Sequence, residues 1–342
     1  MNKQLRKGIL ATFGLLILIF DSQTAINGAL SGIEICLRTV VPSLYPFFVL
    51  SYILTRSLYG FRLKPLGVLA RTLGIPEDAG ILLISSLLGG YPVGAKCVGS
   101  YYENGIFSRE DAEKLLAYCS NSGPAFIFGL VSCLFEEKWM PWVIWLIQMV
   151  SMFFVSRLFS YSAELKGKYK VTHFTITEAV SSSAQAMGQV CAWVILFRIL
   201  ISFLEKWILW ILPKYIQIML IGALELTNGC LELSTLENEN IRFVICSALL
   251  SFGGICIVMQ TTAVTANLRL NKYIQGKLLQ TLISSSLAAA FIYQRWSVFF
   301  ILIVLFFLIP RIFQKKVEFS YKLMYNRHID SGRKLKCSFE KR

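Results

Sequence analysis

The stretch SLLGGYPVGAKCVGSYYENG, Ser86 to Gly105, decides the reading of this chain, because it cuts into an apolar run, GILLISSLL, that is on its way to becoming a membrane helix. Gly89 and Gly90 permit backbone angles closed to other residues, and Pro92 has no N–H to give to a helical ladder. The helix must stop here. A restart after Pro92 exposes unpaired amide groups at a new helix start, where the peptide dipoles favour an anion. Lys96 falls about one turn into that restart, and an ammonium inside a membrane segment is costly unless it faces water, a carboxylate or a solute. Gly89, Gly90, Tyr91, Pro92, Gly94 and Lys96 therefore form a first candidate site, with Lys96 as counter-ion for an acidic ligand. A lysine that snorkels to the interface, or that neutralises a buried glutamate, leaves the same trace in the sequence.

Composition sets the frame around this break. The chain has 342 residues, 55% of them hydrophobic and 16% charged, with a mean hydropathy of +0.60, outside the range of ordinary soluble domains. The expected fold class is all-α: a polytopic membrane protein with two internal repeats containing re-entrant or broken helices. The charge excess of +14 concentrates in a linker around Arg157 to Lys170 and in a tail from Arg311 onward, flanks that read as cytoplasmic anchors on an anionic leaflet. The tail has no recognisable nucleic-acid module, so no nucleic-acid partner is expected. Nine cysteines are scattered without a C-x-x-C pair and read as buried thiols. His173 and His328 lie far apart, so neither a metal nor another cofactor is expected. The basic start and apolar core of residues 1–23 read as a retained anchor.

Several apolar segments, among them 8–20, 39–54 and 79–90, are short of the roughly 20 residues a straight helix needs to cross the hydrocarbon core. Interrupted helices are tolerated in a membrane only where protein or a wet cavity covers the freed backbone groups. The interruptions also recur. ISSLLGGYPVGAKCV (Ile84 to Val98) lies against CSALLSFGGICIVMQ (Cys246 to Gln260), and KLLAYCSNSGPA (Lys114 to Ala125) against KLLQTLISSSLA (Lys277 to Ala288); a weaker match pairs 33–54 with 183–204. This suggests repeats over 24–160 and 177–310, separated by a basic linker at 161–176 and followed by a basic tail at 311–342, in the manner of carriers whose site lies between duplicated units. Chance similarity between apolar segments is the competing explanation.

Three further clusters carry polar chemistry. Ser108 with Asp111 forms a capping box that opens a helix, which then meets Asn121, Ser122 and Gly123 before Pro124, where the residue preceding proline is pushed away from helical angles. Their side chains suit either a polar solute or the freed carbonyls of the break. ALELTNG places Glu225, Thr227, Asn228 and Gly229 at the end of an apolar run, so that Glu225 is expected beside a helix-ending T-N-G, free to bind a cation, relay a proton or pair with Lys96. Gln260 follows the second glycine break, and Ser285, within SSS at 284–286, stands as counterpart of the first half's N-S-G. Serines also occur in tightly packed membrane helices for steric reasons alone. No G-x-x-x-x-G-K-[ST], H-E-x-x-H or G-x-S-x-G spacing occurs, so neither ATP drive nor an enzyme is expected.

The segment GGYPVGAKCVGSYYENGIFSREDAEKLLAYCSNSGPAFIFG, with LELTNG and SFGGICIVMQ, resembles the YlbJ-type (SpoVV) sporulation integral membrane proteins of the wider nucleoside-recognition or Gate-domain group, over about residues 30–310. The resemblance implies a transporter-like membrane protein. Sporulating members of that family are linked to moving dipicolinic acid across the outer forespore membrane, so it also implies a multi-pass protein of that membrane. The expected function is a secondary transporter of a small anionic or polar metabolite working by alternating access; a non-transporting component of spore-envelope assembly is the alternative. Expected partners are the solute, the lipid bilayer and, in addition, a second copy of the chain. Inverted repeats place the basic linker and tail on opposite sides of the membrane, whereas the positive-inside tendency places both in the cytoplasm.

Overall fold

The computed structural model describes residues 3–58, 64–159, 174–265, 268–301 and 304, and these contain helices and turns with no strand. Most of the linker and all of the tail, with His173, His328 and Cys337, lie outside them. The chain divides into two units, Met1–Tyr293 and Gln294–Arg342. The second is described only at 294–301 and 304, where Trp296 and Phe299 meet edge to face.

In the first unit, α1 (Lys3–Phe20) leads into α2 (Ser22–Ile35), whose start is capped by the Asp21 carboxylate accepting from the Thr24 amide. A π-helical turn, Cys36–Val40, joins α2 to α3 (Val41–Ser57). Pro42 at the start of α3 cannot donate to the carbonyl one turn back, so the ladder shifts register, and the Ser43 hydroxyl bonds the Thr39 carbonyl at 2.6 Å. Next come α4 (Lys64–Thr72), α5 (Ile81–Leu88), α6 (Val93–Glu103), α7 (Arg109–Leu116), α8 (Pro124–Gly129) and α9 (Met140–Phe159). The second half consists of α10 (Ile176–Trp207), α11 (Lys214–Leu224), α12 (Leu226–Glu232), α13 (Glu239–Phe252), α14 (Gly254–Val264) and α15 (Asn271–Ile292).

Among the described residues, four stretches are long and apolar enough to cross a membrane: Ser22–Ser57, Met140–Phe159, Ile176–Trp207 and Glu239–Val264. Leu37, Leu50, Trp142 and Leu196 are exposed along these stretches, a pattern that water would penalise and hydrocarbon accepts. The chain is an all-helical membrane protein.

Packing begins with α2 against α10. A Cβ on Gly28 would sit 3.0 Å from the Ile199 Cα, and one on Gly32 2.9 Å from the Ile195 Cα, so this G-x-x-x-G face brings two backbones together as small residues do in lipid. Since residue 28 meets 199–202 and residue 32 meets 195–198, the helices run antiparallel. Arg198 ties the pair by bonding Ser31 at 3.3 Å and gripping both oxygens of Glu205 at 3.0 and 3.2 Å. α15 packs between α13 and α9, where the Ser284 hydroxyl donates to the Ser247 carbonyl at 2.8 Å and accepts from Ser251 at 2.8 Å.

α15 is continuous through Ser284, Ser285 and Ser286. The expectation of a break there, matching the one at 121–123, is corrected. Three serines without a proline or glycine do not end a helix, because each hydroxyl folds back onto its own or a neighbouring backbone carbonyl.

Candidate functional site

Helix interruptions expose backbone groups, and the site is built from how those groups are satisfied. Between α5 and α6 the chain leaves the helix at Gly89 and Gly90, the latter with φ of 71°, and Pro92 caps the restart. Between α7 and α8 it is interrupted from Ala117 to Gly123; the Ser108 hydroxyl accepts from the Asp111 amide at 3.1 Å and opens α7 as its capping box requires. α13 ends and α14 begins across Gly253 and Gly254, with φ of 82° and 87°, angles that residues with a Cβ rarely adopt.

The first two interruptions are locked together. A Cβ on Gly90 would lie 3.0 Å from the Gly123 amide nitrogen, and one on Gly94 would collide with the Cys119 carbonyl. That freed Cys119 carbonyl accepts the Ser86 hydroxyl at 2.9 Å, and the Tyr118 carbonyl accepts the Asn121 amide at 2.8 Å. They also reach the second half. Because α13 stops at Gly253, the Leu250 carbonyl has lost its helical partner. It accepts instead from Ser122 at 3.0 Å, Gln148 at 3.1 Å and Tyr91 at 3.2 Å. The Tyr91 ring lies against Gly253, where a Cβ would stand 3.1 Å from it. One orphan carbonyl of the second half thus gathers side chains from three elements of the first.

Around this junction lies an inner pocket of about 40 Å³ whose lining includes Gly89, Gly90, Tyr91, Ser122, Gly123, Glu225, Thr227 and Gln260. Eight residues expected at a shared site from four separate segments therefore meet. Phe48, Val190 and Gln260 also line a larger open cavity of about 500 Å³, which takes in Pro92, Lys96, Arg56 and Glu103, with Ser182, Gln185 and Gln189 from α10. Lys96 is exposed and faces this outer cavity. Gln260 stands at the boundary; its Nε2 contacts the Cys256 sulfur at 3.3 Å, while its buried Oε1 has no partner among the described residues.

The other predicted residues are placed differently. Asn121 and Asn228 are buried outside the pocket lining. Gly94 is the packing contact beneath Cys119. Ser285 is not in either cavity and bonds the Leu282 carbonyl of its own helix at 3.2 Å; α15 turns Ser284, not Ser285, into the core. Glu225 is also corrected. It stands at the end of α11 as expected, but it also begins α12, its carboxylate accepting from the Thr227 amide at 3.0 Å and from the Asn228 amide and side chain at 2.7 Å each. T-N-G is the first turn of α12, and no ion pair joins Glu225 to Lys96 among the described residues. The chain could be read either way at that point because E-x-T-N-G has both a capping acid and a terminating glycine.

Lys277 was missed. It is 1% exposed on α15 and bonds the Asn121 side-chain oxygen at 3.1 Å and the Gln280 oxygen at 2.8 Å. The signal was present, since Lys277 opens the stretch KLLQTLISSSLAAAFI of α15, whose apolar setting makes a charge costly, but the segment was read only for its likeness to 114–125.

Comparison with known proteins gives one partial match. Over 124 residues the chain is 30% identical to the sporulation integral membrane protein YlbJ of Bacillus subtilis (strain 168), a stretch covering 35% of this chain and 30% of that protein. No family profile matches the chain, and no solved structure does.

Proposed function

We propose that this protein is a multi-pass carrier, related to the YlbJ-type sporulation membrane proteins, that moves a small anionic metabolite by alternating access and does no chemistry on it. One observation carries this reading: interruptions from both halves of the chain wall a small, largely apolar pocket with a few polar groups that shares residues with a far larger open cavity. A pocket of about 40 Å³ is too small for an organic acid, whereas about 500 Å³ lies in the range of roughly 300–1,000 Å³ typical of ligand sites. The outer cavity is then the loading vestibule, and passage requires the inner pocket to widen by parting the interruptions that meet at Leu250. Among the described residues that line the vestibule, Lys96 is an exposed cation and Glu103 the acid, and the Lys96 ammonium suits an anionic solute. Dipicolinate, a planar dianion, is the first candidate through the sporulation resemblance, with the outer forespore membrane as the place.

The test is uptake of labelled dipicolinate by liposomes holding the purified protein. Flux above empty liposomes, lost in Lys96→Ala at equal abundance, supports the reading. Absence of flux for dipicolinate and other small dicarboxylates rejects it and favours a role in spore-envelope assembly.

A further inference from the structure

Lys277 has no task in the carrier as just described, yet its surroundings are incomplete for a structural lysine. Its two hydrogen-bond acceptors, on Asn121 and Gln280, are neutral amide oxygens. Its ammonium otherwise faces rings, 5.1 Å from the centre of Tyr91 and 5.9 Å from that of Tyr273. The titratable groups about it are Tyr91, Tyr273 and Cys119, and none brings a negative charge at neutral pH. α13 and α9, which pack on α15, present to that helix the Ser251 hydroxyl and the backbone carbonyls of Ser247 and Gln148. No carboxylate pairs with it among the described residues; Glu225, the one acid of the inner pocket, is committed to the cap of α12. A buried cation is ordinarily matched by an anion, and among the described residues none supplies it.

Two further features give the site a shape. The hydroxyls of Ser120, Thr261 and Tyr273 are fully buried and lie beside one another; none makes a hydrogen bond of normal geometry among the described residues, and each can donate as well as accept. Tyr91 separates Lys277 from the inner pocket, presenting its ring to the lysine while lining the pocket. Its hydroxyl is held by long bonds to Leu250 and Ser251, 3.2 and 3.4 Å. We infer that Lys277, with the hydroxyls of Tyr273, Ser120 and Thr261, forms an occluded second site for a carboxylate of the solute, reached from the inner pocket when Tyr91 swings off the Leu250 and Ser251 carbonyls.

This inference rests on the carrier reading for its ligand class, and binding separates the two. The probes are pyridine-2,6-dicarboxylate and its neutral diamide, measured by equilibrium binding to the purified full chain in detergent. The wild type is expected to prefer the dianion at least about tenfold, Lys277→Arg to keep most of that preference, and Lys277→Gln to bind both probes about equally. As a measurement independent of any variant's folding, amidination of Lys277 in the wild type, mapped by mass spectrometry, should be suppressed by the dianion and not by the diamide. A folded Lys277→Gln protein with wild-type preference, or labelling at Lys277 that is absent or indifferent to the dianion, overturns the site. Dianion preference and protection without liposome flux would end the carrier reading and leave the site standing; flux with unchanged preference in Lys277→Gln would do the reverse.

Discussion

Removing the donors that converge on the Leu250 carbonyl one at a time should give losses that do not add. A carbonyl oxygen has two lone pairs, while Ser122, Gln148 and Tyr91 all donate to this one. Tyr91→Phe keeps the ring over Lys277 and leaves the carbonyl with its two shorter bonds, so the loss should be at the low end, about 0.5 kcal/mol, in line with the roughly 0.6 kcal/mol average for interhelical hydrogen bonds in membranes. Ser122→Ala leaves Gln148 and Tyr91 and should cost about the same. The double variant leaves only Gln148, at 3.1 Å, on an acceptor enclosed by protein. Part of the penalty for an under-satisfied buried group, about 1–3 kcal/mol, then appears, and the pair should exceed the sum of the singles by roughly 1 kcal/mol. Reversible unfolding in mixed micelles, run as a double-mutant cycle, measures this. Strict additivity, or a single-variant loss above about 2 kcal/mol, would show that the three side chains do not share one acceptor.

Two other substitutions test the same architecture. Gly94→Ala should destabilise by about 1–3 kcal/mol, toward the upper end because the added methyl meets the Cys119 backbone oxygen and not a side chain that can rotate away; Gly188→Ala on α10, with nothing within 4 Å of its Cβ, is the neutral control in the same thermal melt. Glu225→Ala should cost more than Glu225→Gln, since the alanine loses every acceptor of the α12 cap, worth about 0.5–2 kcal/mol before the buried amides are counted, while glutamine retains one oxygen; equal losses would mean that the cap contributes nothing.

Much of this arrangement was legible in the sequence, and the reasons are local. Gly-Gly-Tyr-Pro and Asn-Ser-Gly-Pro cannot continue a helix whatever surrounds them, so both interruptions were readable from backbone chemistry alone. Their meeting place was legible only through the likeness between the halves, which also misled: KLLQTLISSSLA matches KLLAYCSNSGPA in composition but has no proline, and α15 runs straight through it. Glu225 was legible as the end of the apolar run that becomes α11, but that α12 starts at the same residue, with T-N-G as its first turn, was invisible in a short window. The G-x-x-x-G at Gly28 and Gly32 was readable as a helix contact, but its partner on α10 was not. Lys277 went unnoticed because its partners, Asn121 and Gln280, include one that lies 156 residues away.

Reactivity of introduced thiols along the path addresses the shared chamber most directly. With Cys133 and Cys337 replaced by serine, Lys96→Cys, Gln260→Cys and Leu282→Cys are exposed to a membrane-impermeant methanethiosulfonate from either side of oriented vesicles. The outer cavity and inner pocket predict that positions 96 and 260 react from one and the same side, and that position 282, 64% exposed on α15 outside both cavities and expected to face lipid, reacts from neither. A thiol at 260 as inert as the one at 282, or open to the side opposite that of 96, would contradict a chamber walled by the interruptions of both halves.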